Sequence, residues 1–173
     1  LELSQENVAR VLEIGIGTND PSAPSSMGAK GRPGASLFMW ANFFGNASIH
    51  GADVDKSSFV TAERIQSHFV DQTSEKSLIQ LRDNLEEIGV FDLVIDDGLH
   101  TPEANLRSFR IMKDLLSTGG YYVVEDIDPA WQSLWQILGD SLADFETEVF
   151  GTDPEEGRTH AFFVARKKSK SSY

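Results

Sequence analysis

The segment Phe91–Glu103, FDLVIDDGLHTPE, indicates the fold class, because a short apolar run leads through acidic residues into the start of a helix. Residues 91–95 are typical of a buried strand, and residues 96–100 form a turn. Thr101 suits the N-cap of the helix, Pro102 its first position and Glu103 its first turn. A buried strand that leads directly into a helix is the repeating unit of a parallel α/β sheet.

The same unit recurs on both sides of this segment. Further strands are predicted at 8–14, 48–54, 68–70, 121–124, 145–150 and 161–165, and helices at 37–44, 75–88, 101–118 and 129–138. Glycines 119 and 120 are expected to stop the third helix. The alternation predicts an α/β, Rossmann-like, doubly wound and mostly parallel seven-stranded sheet with an antiparallel C-terminal strand, in one domain over residues 1–173.

Composition narrows the function classes. The chain has 173 residues, a formal net charge of -12 and a sequence pI near 4.6, which argues against nucleic-acid binding. No apolar run reaches the length of a membrane span, so we expect a cytoplasmic protein with no membrane partner. The absence of cysteine leaves any metal to Asp, Glu, His and water, which favours hard cations such as Mg²⁺.

Polar groups at the predicted strand ends point to an adenosine cofactor. Gly15 and Gly17 allow the backbone to approach a ligand, and Asp53 at the second strand end can bind ribose hydroxyls. Asp20 occupies the last glycine position of G-x-G-x-x-G, which disfavours a pyrophosphate and favours S-adenosylmethionine. Glu13 would orient the turn or meet the cofactor's ammonium group. A plain tight turn explains the glycine pair equally well. Residues 18–36, which show no periodicity, are expected to form a lid or a disordered segment.

Acidic residues also follow two later strands. Asp97, Glu125 and Asp126 would repel one another unless a cation lay between them, which favours a magnesium site. The alternative is that these acids only cap the helices that follow. His100 comes three residues after Asp97 and is suited to removing a proton from a hydroxyl near neutral pH. His160 and the remaining histidines are interpreted as surface residues.

Several of these stretches resemble a known family. The segment 11–17, VLEIGIG, resembles the first motif of class I S-adenosylmethionine-dependent methyltransferases. The segments 94–100 and 119–126, VIDDGLH and GGYYVVED, are more specific. They resemble the metal-dependent macrolide sugar O-methyltransferases of the macrocin and mycinamicin type and their cephalosporin-hydroxylase-like relatives. Segments 36–40 and 51–57 are also similar to that family, so the resemblance spans nearly the whole chain.

The resemblance implies a role for each strand-end residue. It implies that Asp97, Glu125 and Asp126 are magnesium ligands and that His100 is the general base. For the cofactor, it implies a ribose contact at Asp53 and adenine contacts at Asp71 and Gln72. Glu13, Gly15, Gly17 and Asp96 complete the predicted cofactor-binding set.

The function implied is a magnesium-assisted O-methyltransferase that uses S-adenosylmethionine and a sugar-like or other small hydroxyl-bearing acceptor. Because family members tend to associate, a homo-oligomer is an expectation. They also carry additional N-terminal helices or a domain, so we expect either a lost N-terminal part or an open acceptor site. The alternative function is a non-catalytic or truncated cofactor-binding module. Two further hypotheses are a nicotinamide-dependent oxidoreductase and a hydroxylase.

Overall fold

The computed structural model of the chain describes residues 3–153 and 159–169. Their strands are β1 (Arg10–Ile14), β2 (Ser48–Asp53), β3 (Thr61–Ala62), β4 (Ile65–Phe69), β5 (Phe91–Asp96), β6 (Leu116–Ile127), β7 (Phe145–Phe150) and β8 (Ala161–Lys167). Their α-helices are α1 (Ala35–Phe43), α2 (Glu75–Glu86), α3 (Pro102–Met112) and α4 (Gln132–Ser141). None of these helices is both long and apolar enough to cross a bilayer.

The strands form one sheet in the order β3-β4-β2-β1-β5-β6-β8-β7. Neighbouring strands from β4 to β6 are parallel, and β8 is antiparallel to both β6 and β7. The predicted Rossmann-like, mostly parallel sheet is therefore confirmed. Its strand count is eight rather than seven, because the two residues of β3 pair with β4 in a short antiparallel hairpin that the sequence analysis did not identify.

The start of α3 follows the prediction and its end does not. The hydroxyl of Thr101 accepts a hydrogen bond from the amide of Ala104, and Pro102 opens the helix. The expectation that glycines 119 and 120 stop this helix is wrong, since α3 ends at Met112 and both glycines lie inside β6. They lie where the pairing of β5 with β6 shifts register, and glycine is typical of such an irregularity.

The sheet separates two apolar clusters. Leu12 of β1 belongs to the cluster that includes α2 and α3 residues, whereas its neighbour Val11 packs on the opposite face with α1. Trp135 of α4 is 1% exposed, and its ring centroid lies 4.9 Å from that of Phe163. Trp131, just before this helix, is by contrast 46% exposed.

Two histidines on adjacent strands form a pair in which His50 is buried and His68 is partly buried. His50 Nδ1 lies 3.0 Å from His68 Nε2, and His50 Nε2 lies 2.9 Å from Ser48 Oγ. Burial lowers the pKa of His50 to about 4, with smaller contributions from His68 and Arg10. His50 is therefore a neutral, structural part of the sheet rather than the surface residue that the sequence suggested.

The depressed pKa of His50 predicts a loss of stability on acidification. Between about pH 6.5 and pH 4 the unfolded chain binds a proton at this residue and the folded chain does not, so its contribution to stability falls as pH falls. From pH 7.5 to 5.5 the wild type should lose about 1 kcal/mol more than His50→Gln. Urea unfolding of both proteins at both pH values measures this difference. The carboxylates are common to the two proteins, so their contribution to the pH dependence cancels. Equal losses would show that His50 titrates normally.

Candidate functional site

A cavity of about 390 Å³ opens at the carboxyl ends of the central strands. Here the strand order changes direction, because β2 and β4 lie on one side of β1 and β5 and β6 on the other. This is where open α/β sheets bind ligands, and the volume suits a nucleoside-sized molecule. Residues Pro24 and Met27 place the 18–34 loop against the cavity. The amides of Met27 and Gly34 tie this loop to the carbonyls of Thr18 and Ile16, at 2.8 and 2.7 Å.

The glycine turn after β1 presses against the turn after β5. Gly15 and Gly17 have φ angles of 88° and 85°, a conformation that favours glycine. A Cβ on Gly15 would lie 2.2 Å from the carbonyl oxygen of Asp97, so no larger residue fits there. The amide of Asp97 donates to the carbonyl of Ile14 at 2.8 Å, which joins the two strand ends directly.

Asp53 holds the glycine turn from the side of β2. Its Oδ2 accepts from the amide of Ile16 at 2.9 Å, and its Oδ1 accepts from the amide of Asp55 at 2.8 Å. The carboxylate is buried and borders the cavity. Since each carboxylate oxygen can accept a further hydrogen bond, Asp53 is both fixed in position and still able to bind a ligand hydroxyl.

Glu13 borders the cavity at the end of β1. Its Oε2 accepts a hydrogen bond from Trp40 Nε1 at 2.8 Å. Burial raises the pKa of Glu13 to about 7, although hydrogen bonds from Ser36 and Trp40 oppose that rise. A cationic ligand group beside Glu13 would favour the ionised form of this carboxyl and lower its pKa.

Asp71 and Gln72, which follow β4, also border the cavity. Asp71 Oδ1 accepts from the amide and the hydroxyl of Thr73, at 2.9 and 2.6 Å. The side-chain amide of Gln72 is bonded to protein groups, including Asp96 Oδ1 at 2.7 Å. Asp96 itself is fully buried beneath the cavity. The predicted cofactor contacts of Gln72 and Asp96 stay predictions.

Asp97, His100 and Asp126 also border the cavity and come together there. One potential ligand atom from each lies within 4.8 Å of the others, and His100 Nε2 is 3.9 Å from Asp97 Oδ1. Glu125 is outside this group of three, although it lies next to Asp126 within β6. Burial raises the pKa of Glu125 to about 7, and the charges of Asp97 and Asp126 raise it further. The structure thus unites two of the three predicted metal ligands with the predicted base.

Comparison with known proteins gives a consistent assignment. The demethylmacrocin O-methyltransferase of Streptomyces fradiae is 35% identical over 130 residues, 75% of this chain and 29% of that protein. An 8-demethyl-8-alpha-L-rhamnosyl tetracenomycin-C 2'-O-methyltransferase from Streptomyces olivaceus is 32% identical over 163 residues, 94% of this chain and 40% of that protein. The chain is a homologue of the macrolide sugar O-methyltransferases. It spans well under half the length of these curated relatives.

A solved structure supports the same homology. The MycE methyltransferase of the mycinamycin pathway, in complex with Mg, SAH and mycinamycin VI, matches with a TM-score of 0.69 and 26% identity. The match covers 92% of this chain and 44% of that one. No family model matches the sequence. The fold is the class I methyltransferase fold, as the resemblance implied.

The donor groups of this methyltransferase fold fit a hard divalent cation. Burial raises the pKa of Asp97 to about 6, and the charges of Asp126 and Asp96 add to the rise. A carboxylate cluster with raised pKa values is a site where negative charges are held together at a cost in free energy. A cation with oxygen-preferring coordination would relieve that repulsion, so the residues present fit Mg²⁺.

Two functional candidates were missed by the sequence analysis. His160, interpreted there as a surface residue, lies with its Nδ1 3.9 Å from Asp126 Oδ1. It precedes β8, and only the antiparallel return of that strand beside β6 brings it to the site. Arg32 borders the cavity as a cation among carboxylates. No sequence pattern singled it out, because it lies within the aperiodic loop.

The contact at Gly15 predicts that this position tolerates no side chain. Gly15→Ala combines a positive φ with an overlap on the Asp97 carbonyl, so we expect a loss of about 3 kcal/mol or more in stability. Gly28→Ala is the matched control, because Gly28 also has a positive φ but nothing lies within 4 Å of its Cβ position. It should cost only about 1 kcal/mol. Urea denaturation compares the two variants, and equal losses would rule out the predicted clash.

Proposed function

We propose that the chain is the catalytic part of an S-adenosylmethionine-dependent, magnesium-assisted O-methyltransferase that acts on a sugar hydroxyl of a small-molecule glycoside. One observation carries the proposal: the Asp53-braced glycine turn and the Asp97–His100–Asp126 cluster lie at a single cavity. Two similar proteins are named as O-methyltransferases of a rhamnosyl and of an olivosyl compound, which supports the substrate class.

The cavity offers a complementary side chain for four groups of S-adenosylmethionine: the ribose, the adenine, the ammonium and the carboxylate. Asp53 would accept the ribose hydroxyls, and Asp71 would meet the adenine. Glu13 would pair with the ammonium of the amino-acid end, and Arg32 would pair with its carboxylate. All four residues border the cavity. Asp53 and Asp71 are held in place by hydrogen bonds from backbone amides.

The acidic end of the cavity would hold the metal and the acceptor. Asp97, Glu125 and Asp126 would ligate Mg²⁺. When bound, the ion supplies Lewis acidity that lowers the pKa of an acceptor hydroxyl. Asp126 is exposed, so this end of the cavity is open to an incoming substrate.

His100 would take the acceptor proton. Its Nδ1 is buried, whereas its Nε2 faces Asp97 at 3.9 Å. His100 Nε2 would accept the hydroxyl proton and become an imidazolium beside the carboxylates, which stabilise that charge. S-adenosylmethionine supplies the methyl group, whose bond to sulfur breaks as its bond to the acceptor oxygen forms.

The role of His100 predicts a separation of turnover from cofactor affinity. In an assay of methyl transfer from S-adenosylmethionine to a rhamnosyl glycoside with Mg²⁺, His100→Ala should lose at least about 100-fold in turnover. Its affinity for S-adenosylhomocysteine should stay within about twofold of wild type, since no cofactor group is assigned to this side chain. Retained turnover would disprove the role, and a wild type inactive on every glycoside tested would argue against the sugar acceptor.

Glu13→Gln tests the assignment of the amino-acid end. The variant should bind S-adenosylhomocysteine about tenfold more weakly and 5'-methylthioadenosine, which lacks the amino-acid group, with unchanged affinity. Wild-type affinity for the homocysteine nucleoside should also rise as pH rises through about 7, because an ionised Glu13 binds the ammonium group. Calorimetric titration measures both effects, and equal weakening for the two ligands would refute the contact.

A further inference from the structure

We propose that Gln72 positions the metal-bearing turn Asp97–His100 and does not recognise adenine through its side chain. This inference rests on the proposed function, because it concerns the site assigned there to the metal and the base. It also departs from the role that the family resemblance implied for Gln72. Its basis is the set of partners that the side-chain amide already has.

Both polar atoms of the Gln72 side chain already bond to protein groups. Its Nε2 donates to Asp96 Oδ1 at 2.7 Å and to Ser108 Oγ at 3.0 Å, which uses both of its hydrogens. Its Oε1 accepts from the amide of Leu99 at 2.8 Å. The residue is 8% exposed. An adenine could therefore bond to the Gln72 nitrogen only if one of two buried hydrogen bonds were broken, which is costly.

The bond from Leu99 falls within the turn that carries the reactive groups. Leu99 lies between the predicted ligand Asp97 and the predicted base His100. His100 has a φ of 54°, a left-handed conformation that a non-glycine residue adopts only when its surroundings enforce it. A hydrogen bond to the preceding amide is a direct way to enforce that conformation.

The glutamine and the turn are also in close contact. A Cβ on Gly98 would lie 2.0 Å from Gln72 Oε1, so the peptide of the turn lies directly against the amide oxygen. On its other side, the amide of Asp97 is bonded to the carbonyl of Ile14. The turn is thus held between β1 and Gln72, and a shift of the glutamine would release one of its two supports.

Helix α3 holds Gln72 in position. Ser108, which accepts from the side chain, is a fully buried residue of α3. Arg107 of the same helix donates from Nη1 to the backbone carbonyl of Gln72 at 2.9 Å. The arrangement therefore transmits the position of α3 to the Asp97–His100 turn. Partners of this kind behind a metal ligand commonly change metal affinity by 10- to 100-fold when removed.

The decisive experiment measures two affinities in Gln72→Met, which keeps the length of the side chain and removes its hydrogen bonds. Calorimetry gives the affinity for S-adenosylhomocysteine in the presence of chelator and, separately, the affinity for Mg²⁺ alone. We expect the first to stay within about twofold of wild type and the second to weaken about tenfold or more. Gln66→Met, at an exposed position of β4, is the matched control and should change neither.

Ser108→Ala provides a second route if Gln72→Met does not fold. It removes one acceptor of the Gln72 amide from within α3, so it should weaken Mg²⁺ binding and leave the nucleoside affinity unchanged. In whichever variant folds, a tenfold loss of nucleoside affinity in chelator, or an unchanged Mg²⁺ affinity, overturns the proposal. Failure of the proposed function can be told apart from failure of the role given to Gln72. A wild type that binds no Mg²⁺ refutes the metal site before any variant is compared.

Discussion

The contact between the ends of β1 and β5 is the constraint on which the site depends. The amide of Asp97 bonds to the carbonyl of Ile14, and Gly15 lies so close to the Asp97 carbonyl that it must be glycine. Through this contact, the turn expected to hold a nucleoside and the turn expected to hold a metal become one unit. Asp53 braces that unit from β2, so three neighbouring strand ends fix one cavity.

Buried acidic side chains give the site an electrostatic cost in the folded chain. Glu13 and Glu125 each have a pKa raised to about 7, with burial as the largest cause. Such groups are unfavourable in a folded chain unless a positive partner arrives. An ammonium group beside Glu13 and a divalent cation beside Glu125 would supply such a partner for each. The free-energy gain expected from those partners gives a physical reason for keeping buried acids in a chain of net charge -12.

Local sequence signals predicted those features that local chemistry determines. The N-cap at Thr101, the strand predicted over residues 91–95 and the glycine turn all depend on neighbouring residues, and the structure has each of them, with the strand one residue longer, to Asp96. The end of α3 was missed because Leu116 has helical spacing yet pairs with Phe91 in the sheet. Partners distant in the chain were also missed, since nothing near Gln72 or His160 in the sequence indicates Ser108 or Asp126.

If the cavity is built for S-adenosylmethionine, it should discriminate against a dinucleotide. Calorimetric titration of the wild-type chain with S-adenosylhomocysteine and, in parallel, with NAD measures that discrimination. We expect saturable binding of the homocysteine nucleoside at one site and no measurable binding of NAD, because Asp20 replaces the third glycine of the turn that usually binds a pyrophosphate. Binding of NAD with no binding of the nucleoside would contradict this expectation.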